Sequence, residues 1–79
     1  MRHRLQKKWM RLAIRSAEEG IKRLEGGPFG VVIVRGRQAV AVAHNKVLQS
    51  RDATCHAEVN AIRIASKKLG RFDLSDCVI

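Results

Sequence analysis

The fold of this chain is decided by ten residues that read Thr54-Cys55-His56-Ala57-Glu58-Val59-Asn60-Ala61-Ile62-Arg63. An imidazole and a carboxylate, His56 and Glu58, stand two residues apart where the sequence predicts the start of a helix. An i, i+2 step turns a helix by about 200°, so inside a helix the two side chains would diverge. In the first turn both can reach the space beyond the helix end, where backbone N–H groups and the positive dipole end favour negative charge. The pair therefore suits a hydrolytic metal site, with His56 as ligand and Glu58 as proton carrier, although His-x-Glu alone is a weak signal.

The helix that begins at this pair has recognisable boundaries. Thr54 is a natural N-cap for it, and Asp52 is the alternative. Gly70 is expected to end it, since glycine readily adopts the left-handed cap conformation. Its apolar side is predicted to carry Val59, Ile62, Ala65, Ser66 and Leu69. Further on, residues 72–76 read as a loop, and Cys77-Val78-Ile79 reads as the start of a strand.

An amphipathic helix is predicted upstream, from Leu5 to Leu24, because apolar residues recur there at helical spacing among Arg and Lys. These apolar positions are Trp9, Met10, Ala13, Ile14, Ala17, Ile21 and Leu24. Trp9 is expected to be a core anchor. Gly26-Gly27-Pro28 should end this helix, since glycine favours the left-handed cap and proline cannot continue the turn.

A β-hairpin is predicted between the two helices. Residues 29–34 form a nearly continuous apolar run rich in β-branched side chains, which suits a strand covered on both faces. Residues 35–38 supply a tight turn, and residues 39–43 form a second apolar run. Residues 46–53 then read as a loop that leads the chain to the second helix.

Composition indicates one small globular domain. The chain has 79 residues, 46% of them hydrophobic, and only Trp9, Phe29 and Phe72 are aromatic. Leu, Ile, Val and Ala must therefore form most of the core. Two cysteines, no signal peptide and no long apolar run predict a soluble, cytoplasmic protein with reduced thiols and no membrane segment.

The chain is strongly basic, with a formal net charge of +9 spread along its length. Such a surface suits a polyanionic partner such as RNA. However, the single Trp, the absence of Tyr and the lack of an Arg-rich run favour a solvated basic surface over an RNA site.

Three motifs of this chain resemble the zinc-dependent cytidine and nucleobase deaminase family. They are Gly26-Gly27-Pro28-Phe29-Gly30 entering a strand, His44-Asn45 ending the next strand, and residues 55–63 opening a helix. Their order and intervals also fit, over nearly the whole chain. The Gly-Gly-Pro-Phe-Gly form is most similar to bacterial guanine deaminases, whereas tRNA adenosine deaminases usually show Pro-Val-Gly at that point.

The resemblance implies an α/β fold, the N-terminal part of a cytidine-deaminase-like three-layer α/β/α sandwich with a mixed sheet. It implies zinc-dependent hydrolytic deamination of a nucleobase, guanine to xanthine first. Separately, a sheet that ends at the short strand Cys77-Val78-Ile79 would leave strand edges unpaired, and this predicts a homo-oligomer such as a dimer. His56 would be the zinc ligand and Glu58 the general acid/base. Asn45, the ring of Phe29 and the backbone N–H of Ala57 would bind the base.

The chain departs from the family in one respect. Relatives carry a Pro-Cys-x-x-Cys turn that supplies thiolate ligands, and residues 1–79 contain no such turn. Neither Cys55 nor Cys77 stands at the position of a family zinc cysteine. Residues 1–79 are therefore expected to form a single incomplete deaminase domain that is inactive alone. The alternatives are a tRNA adenosine deaminase and a non-catalytic fragment or interaction module.

Overall fold

A long helix opens the fold. The computed structural model describes residues 3–79, with side chains from residue 7 onward, and α1 spans His3–Lys22. The predicted helix is confirmed, but it stops short of Leu24, which adopts a left-handed φ of 57°. The N–H of Glu25 donates to the carbonyl of Gly20 over 2.8 Å and closes the final turn. Residues 1 and 2 of the predicted domain lie outside the described residues.

The buried side of α1 differs from the predicted stripe. Trp9 is 7% exposed and packs with Val32 and Val34, as expected of a core anchor. Met10 and Ile14, in contrast, are 62% and 50% exposed. The helix turns its small residues to the sheet instead. Its backbone lies so close to β1 that a Cβ added at Gly30 would overlap the carbonyl of Ala13. This close approach leaves no room for the larger apolar side chains.

The hairpin consists of β1, Gly30–Arg35, and β2, Gln38–His44, paired antiparallel as predicted. Gly36 in the connecting turn has a φ of 61°, a left-handed conformation that glycine adopts at little cost. The register shifts between Ile33 and Val34, so the ladder contains a bulge. Both faces of the hairpin carry buried residues.

The other long helix, α3, spans Ala57–Leu69 and covers the opposite face of the hairpin. Gly70 is its left-handed C-cap, as predicted, and donates its N–H to the carbonyl of Ser66. The apolar side was wrongly assigned in part, since Ile62 is 44% exposed. The buried residues are Ala57, Ala61 and Ala65. Their small side chains let α3 lie close to Ile33, Ala41 and Ala43 in one core cluster.

The segment before α3 contains two differences from expectation. A single helical turn, α2, spans Val47–Ser50 inside the predicted loop. The N-cap of α3 is His56, with an extended φ of −67° and ψ of 159°, and the prediction of Thr54 or Asp52 was wrong. The reason is local: the N–H and hydroxyl of Thr54 donate to the Asp52 carboxylate over 2.9 and 2.7 Å. The Asp52 and Thr54 side chains therefore close a turn of their own.

The end of the chain returns to the sheet. Val78 forms an antiparallel bridge with Val34, and each N–H donates to the other's carbonyl over 2.7 Å. The result is an α/β fold with α1 on one face of the sheet and α3 on the other, as in an α/β/α sandwich. Among residues 3–79, none of the helices combines the length and the apolar character that a membrane crossing requires.

Candidate active site

Backbone hydrogen bonds bring the three sequence motifs together at one end of the hairpin. The N–H of Asn45, which follows β2, donates to the carbonyl of Phe29 over 3.1 Å. The N–H of Lys46 donates to the carbonyl of Cys55 over 2.9 Å. The glycine-rich entry to β1, the end of β2 and the start of α3 therefore form one contiguous surface.

Asn60 ties this surface to α3. Its side-chain amide donates to the carbonyl of His44 over 3.0 Å and to the carbonyl of Cys55 over 3.3 Å. Asn60 belongs to the quoted motif, but the sequence assigned it no role. Its position could have indicated this role, because Asn60 is the fourth residue of a helix that starts close to the end of a strand. A side-chain amide there can donate to backbone carbonyls that the strand leaves without a partner.

Asn45 is 8% exposed, and the orientation of its side chain is fixed. Its Oδ1 accepts the backbone N–H groups of Gly27 and Val47 over 3.2 and 3.1 Å. Because these two donors occupy the oxygen, the amide NH₂ is the group that Asn45 can offer to a ligand. Gly26 packs directly against Asn45, where a Cβ would overlap the Asn45 side chain and carbonyl. The contact with Val47 also makes Asn45 the turn residue that follows β2.

His56 and Glu58 lie side by side at the N-terminus of α3. The distance from His56 Nδ1 to Glu58 Oε1 is 3.6 Å, and the two side chains are 60% and 56% exposed. Ala57, between them, is buried and is the first residue of the helix. Its N–H belongs to the first turn, whose N–H groups have no partner within the helix. An exposed imidazole and an exposed carboxylate thus lie next to each other at the N-terminus of α3.

An open cavity of about 690 Å³ lies between α1, β1 and the last residues of the chain. Its lining is mainly apolar, and Glu58 is the charged residue that contributes to it. His56, Asn45 and Phe29 do not line this cavity. The ring of Phe29 is instead 61% exposed beside the Asn45 segment. The structure therefore brings the predicted site residues to one end of the fold, and of these residues Glu58 alone lines this cavity.

The donor set accounts for part of a zinc site. Among the side chains that the structure describes, those of residues 7–79, no group of three or more His, Cys, Asp or Glu residues is placed to hold a metal. The imidazole of His56 is accessible and fits the role of one ligand. Cys55 is buried, with its Sγ 3.9 Å from Arg63, and Cys77 points its thiol at Asp76. The described side chains thus supply one well-exposed imidazole, that of His56, and no accessible pair of thiolates.

A polar network beneath the site was not predicted. Ser16 Oγ lies 2.9 Å from His44 Nδ1, and His44 Nε2 lies 2.8 Å from Glu25 Oε1. The hydrogen bond from His44 lowers the pKa of Glu25 below its ordinary value. Nothing near His44 in the sequence indicates a partner as distant as Ser16, which lies 28 positions away.

The chain matches one known family along almost its whole length. Residues 3–79 match the cytidine and deoxycytidylate deaminase zinc-binding region. The guanine deaminase of Bacillus subtilis (strain 168) is 45% identical over 71 residues, which are 90% of this chain and 46% of that protein. The tRNA-specific adenosine deaminase of Aquifex aeolicus (strain VF5) is 33% identical over 69 residues, 87% of this chain and 45% of that protein.

The fold matches as well as the sequence. The X-ray structure of guanine deaminase from Bacillus subtilis superposes with a TM-score of 0.87 at 44% identity, covering 98% of this chain and 47% of that one. The chain therefore spans about half the length of the relatives that it matches.

Proposed function

This chain belongs to the cytidine and deoxycytidylate deaminase family, and on that premise we propose that it provides the proton-transfer and base-binding part of a hydrolytic nucleobase deaminase. Guanine is the first candidate substrate. The observation that carries the proposal is the convergence of Asn45, Phe29 and the His56–Glu58 pair at one end of the hairpin. Guanine is favoured over adenosine because the guanine deaminase relative is 45% identical and the tRNA deaminase relative 33%.

In this proposal His56 holds zinc and Glu58 moves protons. Zinc held there would supply activation of a water molecule for attack on the ring carbon that carries the amino group. Glu58 would take a proton from the attacking water and return protons to the departing nitrogen, so that ammonia would leave and a carbonyl would remain. This role is supported by the exposed carboxylate of Glu58 in the first turn of α3, which lies 3.6 Å from His56 Nδ1.

The remaining groups bind and orient the base. The amide NH₂ of Asn45 donates to an acceptor on the base, since its oxygen is already occupied by Gly27 and Val47. The N–H of Ala57 supplies a second donor at the helix N-terminus. The exposed ring of Phe29 offers a surface on which the flat base can stack.

We further propose that deamination needs thiolate ligands that these 79 residues do not supply, and that the chain alone turns over no substrate. The test uses a complemented mixture: this chain, zinc, and the part of the Bacillus subtilis guanine deaminase that lies beyond the segment it matches. Ammonia release from guanine, adenosine and cytidine is measured for the mixture and for each component alone. Release from guanine in the mixture only supports the proposal; turnover by the chain alone contradicts it.

Binding of the base is tested separately from turnover. Guanine titrated into the isotopically labelled chain should shift the NMR signals of Asn45, Ala57 and Phe29. Signals on the far side of the fold, such as that of Gly36 in the hairpin turn, are the internal control. Shifts confined to other regions would contradict the assigned binding residues.

The second candidate substrate is a tRNA adenosine. The net charge of +9 and the similarity to a tRNA-specific adenosine deaminase favour it. Binding to a tRNA stem-loop that weakens steeply as salt rises, together with release of ammonia from that RNA by the complemented mixture, would select this alternative over guanine. Retention of tRNA binding without any deamination would instead select an interaction module.

We also propose that the chain self-associates. Met10, Ile14 and Ile21 are 62%, 50% and 45% exposed on one side of α1. In the described part of the chain, β2 pairs with β1 alone, so its other edge is open. Exposed apolar side chains and open strand edges both favour contacts between copies.

A further inference from the structure

A partly buried histidine links three separate parts of the fold directly beneath the candidate site. The side chain of His44, at the end of β2, is 12% exposed. Its two ring nitrogens face Ser16 on α1 at 2.9 Å and Glu25, in the segment after α1, at 2.8 Å. The Glu25 side chain is 9% exposed. None of these three side chains takes part in the chemistry proposed above.

The hydrogen bonds assign the protons in this network. An ionised carboxylate only accepts hydrogen bonds, so His44 Nε2 carries a proton and donates it to Glu25. The lowered pKa of Glu25, caused first by this hydrogen bond, is consistent with the ionised form. Because a charged partner makes the shorter and stronger kind of hydrogen bond, the carboxylate holds the imidazole in one orientation.

Both ends of this contact are adjacent in sequence to the base-binding surface. His44 immediately precedes Asn45, and its own carbonyl is held by Asn60 over 3.0 Å. Glu25 immediately precedes Gly26, which packs on Asn45. The next residue, Gly27, donates its N–H to Asn45 Oδ1 over 3.2 Å. A contact between His44 and Glu25 therefore fixes the distance between the two segments that hold the Asn45 amide.

The surrounding backbone is shaped around the imidazole. A Cβ at Gly20, in the last turn of α1, would lie 2.5 Å from His44 Cδ2. Leu24 takes a left-handed φ of 57°, which is unfavourable for a residue with a side chain and turns the chain into Glu25. The carbonyl of Glu25 is held in turn by the N–H of Gln49 in α2, over 2.9 Å.

From this geometry we infer that Glu25 is a positioning residue for Asn45, and that it acts through the imidazole of His44. The carboxylate orients His44, His44 sets the end of β2, and the Gly26–Gly27 segment next to Glu25 closes on the Asn45 oxygen. The inference rests on the proposed function in one respect, that Asn45 binds the base. The hydrogen-bond relationship itself is testable without any substrate.

The experiment compares Glu25→Ala and Glu25→Gln in the full chain. Glutamine keeps a hydrogen-bond acceptor for His44 Nε2 and loses the charge, whereas alanine loses both. Glu19→Ala is the matched control, since it removes an exposed α1 carboxylate that pairs with Arg23 over 2.8 Å. Amide hydrogen exchange of Gly27 and Val47, the two donors to Asn45 Oδ1, and the NMR signals of the Asn45 side-chain NH₂ are recorded for each variant.

We expect Glu25→Ala to accelerate exchange at Gly27 and Val47 by about tenfold relative to amides of Ile33 and Ala61, the loss expected when one hydrogen bond is removed. The Asn45 NH₂ signals of Glu25→Ala should also shift. In Glu25→Gln, the exchange rates and the Asn45 signals should be much closer to those of the wild-type chain. In Glu19→Ala, both should equal those of the wild-type chain. If Glu25→Ala does not fold, Glu25→Gln alone still decides: its loss of charge should leave a smaller, residual shift of the Asn45 NH₂ signals, whereas Glu19→Ala should leave none.

Two outcomes would overturn the inference. One is uniform acceleration of amide exchange across the fold, which would show that Glu25 stabilises the whole fold and does not specifically position Asn45. The other is unchanged Asn45 signals in both Glu25 variants. Guanine titration of the same samples adds a further readout: Glu25→Ala should weaken binding about tenfold if the hydrogen bond to Asn45 orients the base. Failure of the wild-type chain to bind guanine counts against the proposed function alone, since the exchange measurement needs no ligand.

Discussion

The Nδ1 atom of His56 lies 3.6 Å from a carboxylate oxygen of Glu58, although the two residues are separated by only one position in a helical segment. Inside a helix such a pair would point in different directions. The contact exists because His56 is the N-cap, with an extended backbone, and Glu58 is in the first turn. Both side chains therefore reach the same side of the helix N-terminus while staying more than half exposed.

This arrangement predicts separable roles for the two side chains. In the complemented mixture, Glu58→Gln should reduce ammonia release at least about a hundredfold and leave the zinc content unchanged, because it removes proton transfer and not a ligand. His56→Ala should lose both zinc and activity. Zinc content is measured beside turnover, with Glu19→Gln as the control for an exposed carboxylate. Near-normal turnover by Glu58→Gln would show that another group moves the protons.

Zinc should bind weakly to the 79-residue chain by itself. Complete structural sites owe about 10 to 16 kcal/mol to full ligation, and the described residues offer one accessible imidazole for this purpose. Metal analysis of protein purified without added zinc should therefore find low occupancy, which dialysis against a chelator removes. The prediction fails if zinc is near-stoichiometric and resists the chelator.

Acid should destabilise the fold through Glu25. Its pKa lies below the ordinary value of 4.5, first because of the hydrogen bond from His44. Because the pKa of Glu25 is lower in the folded state, the ionised carboxylate adds to the free energy of unfolding above pH 4.5. This contribution is lost as the pH falls below that value. Urea unfolding followed across this pH range should show a shallower loss for Glu25→Gln than for the wild-type chain.

Asp76 provides the comparison for this pH effect. Its pKa is lowered from 3.8, first by the hydrogen bond from Arg71, so its contribution should be lost only below pH 3.8. Asp76→Asn should therefore alter the lower part of the acid transition and leave the upper part as in wild type. Identical profiles for the two variants would contradict the assignment of the upper part to Glu25.

Two glycines should respond very differently to alanine. Gly30→Ala places a Cβ against the Ala13 carbonyl and should cost more than about 2 kcal/mol, because α1 must move off the sheet. At Gly36 the added Cβ meets nothing within 4 Å. The φ of 61° there limits the cost of Gly36→Ala to about 1 kcal/mol. Denaturant unfolding of both variants measures the difference, and equal costs would contradict close packing at Gly30.

Self-association should depend on the exposed side of α1. Light scattering on a size-exclusion column, repeated over a concentration series, should detect oligomers of the wild-type chain. Met10→Lys with Ile14→Lys should shift the population toward monomer, because charge replaces exposed apolar surface. Glu19→Lys is the control, because it changes the charge of α1 in the same direction on another side of the helix. A wild-type monomer at every concentration would rule out self-association.

The sequence predicted the order and type of the main elements because strong local signals mark them. A continuous β-branched run specified β1, and Gly70 specified the end of α3. The faces of the helices were less predictable. Apolar periodicity selected Met10 and Ile14, whereas the sheet accepts Ala13 and Gly20 at a closer distance. How closely a helix packs is a tertiary property that its own sequence does not state.

In the candidate site, too, some residues were predicted from the sequence and some contacts were not. His56, Glu58 and Asn45 were identified by motif, and the structure places them at one end of the hairpin. Their zinc, catalytic and base-binding roles remain proposals. The contact of His44 with Ser16 and Glu25 was not predicted, because it joins residues 28 and 19 positions apart and depends on how α1 lies on the sheet.

The bulge in the hairpin has a consequence for how the length of this chain can vary. Val40 and Ala41 are consecutive, yet both lie in the core shared with α3, because the register shifts between Ile33 and Val34. Deleting one residue at this point would restore regular alternation and leave the turn at Gly36 intact. Deleting one residue from the turn would instead move every β2 side chain to the opposite face. We therefore expect single-residue gaps in homologous hairpins to fall at Val40 and not in the turn.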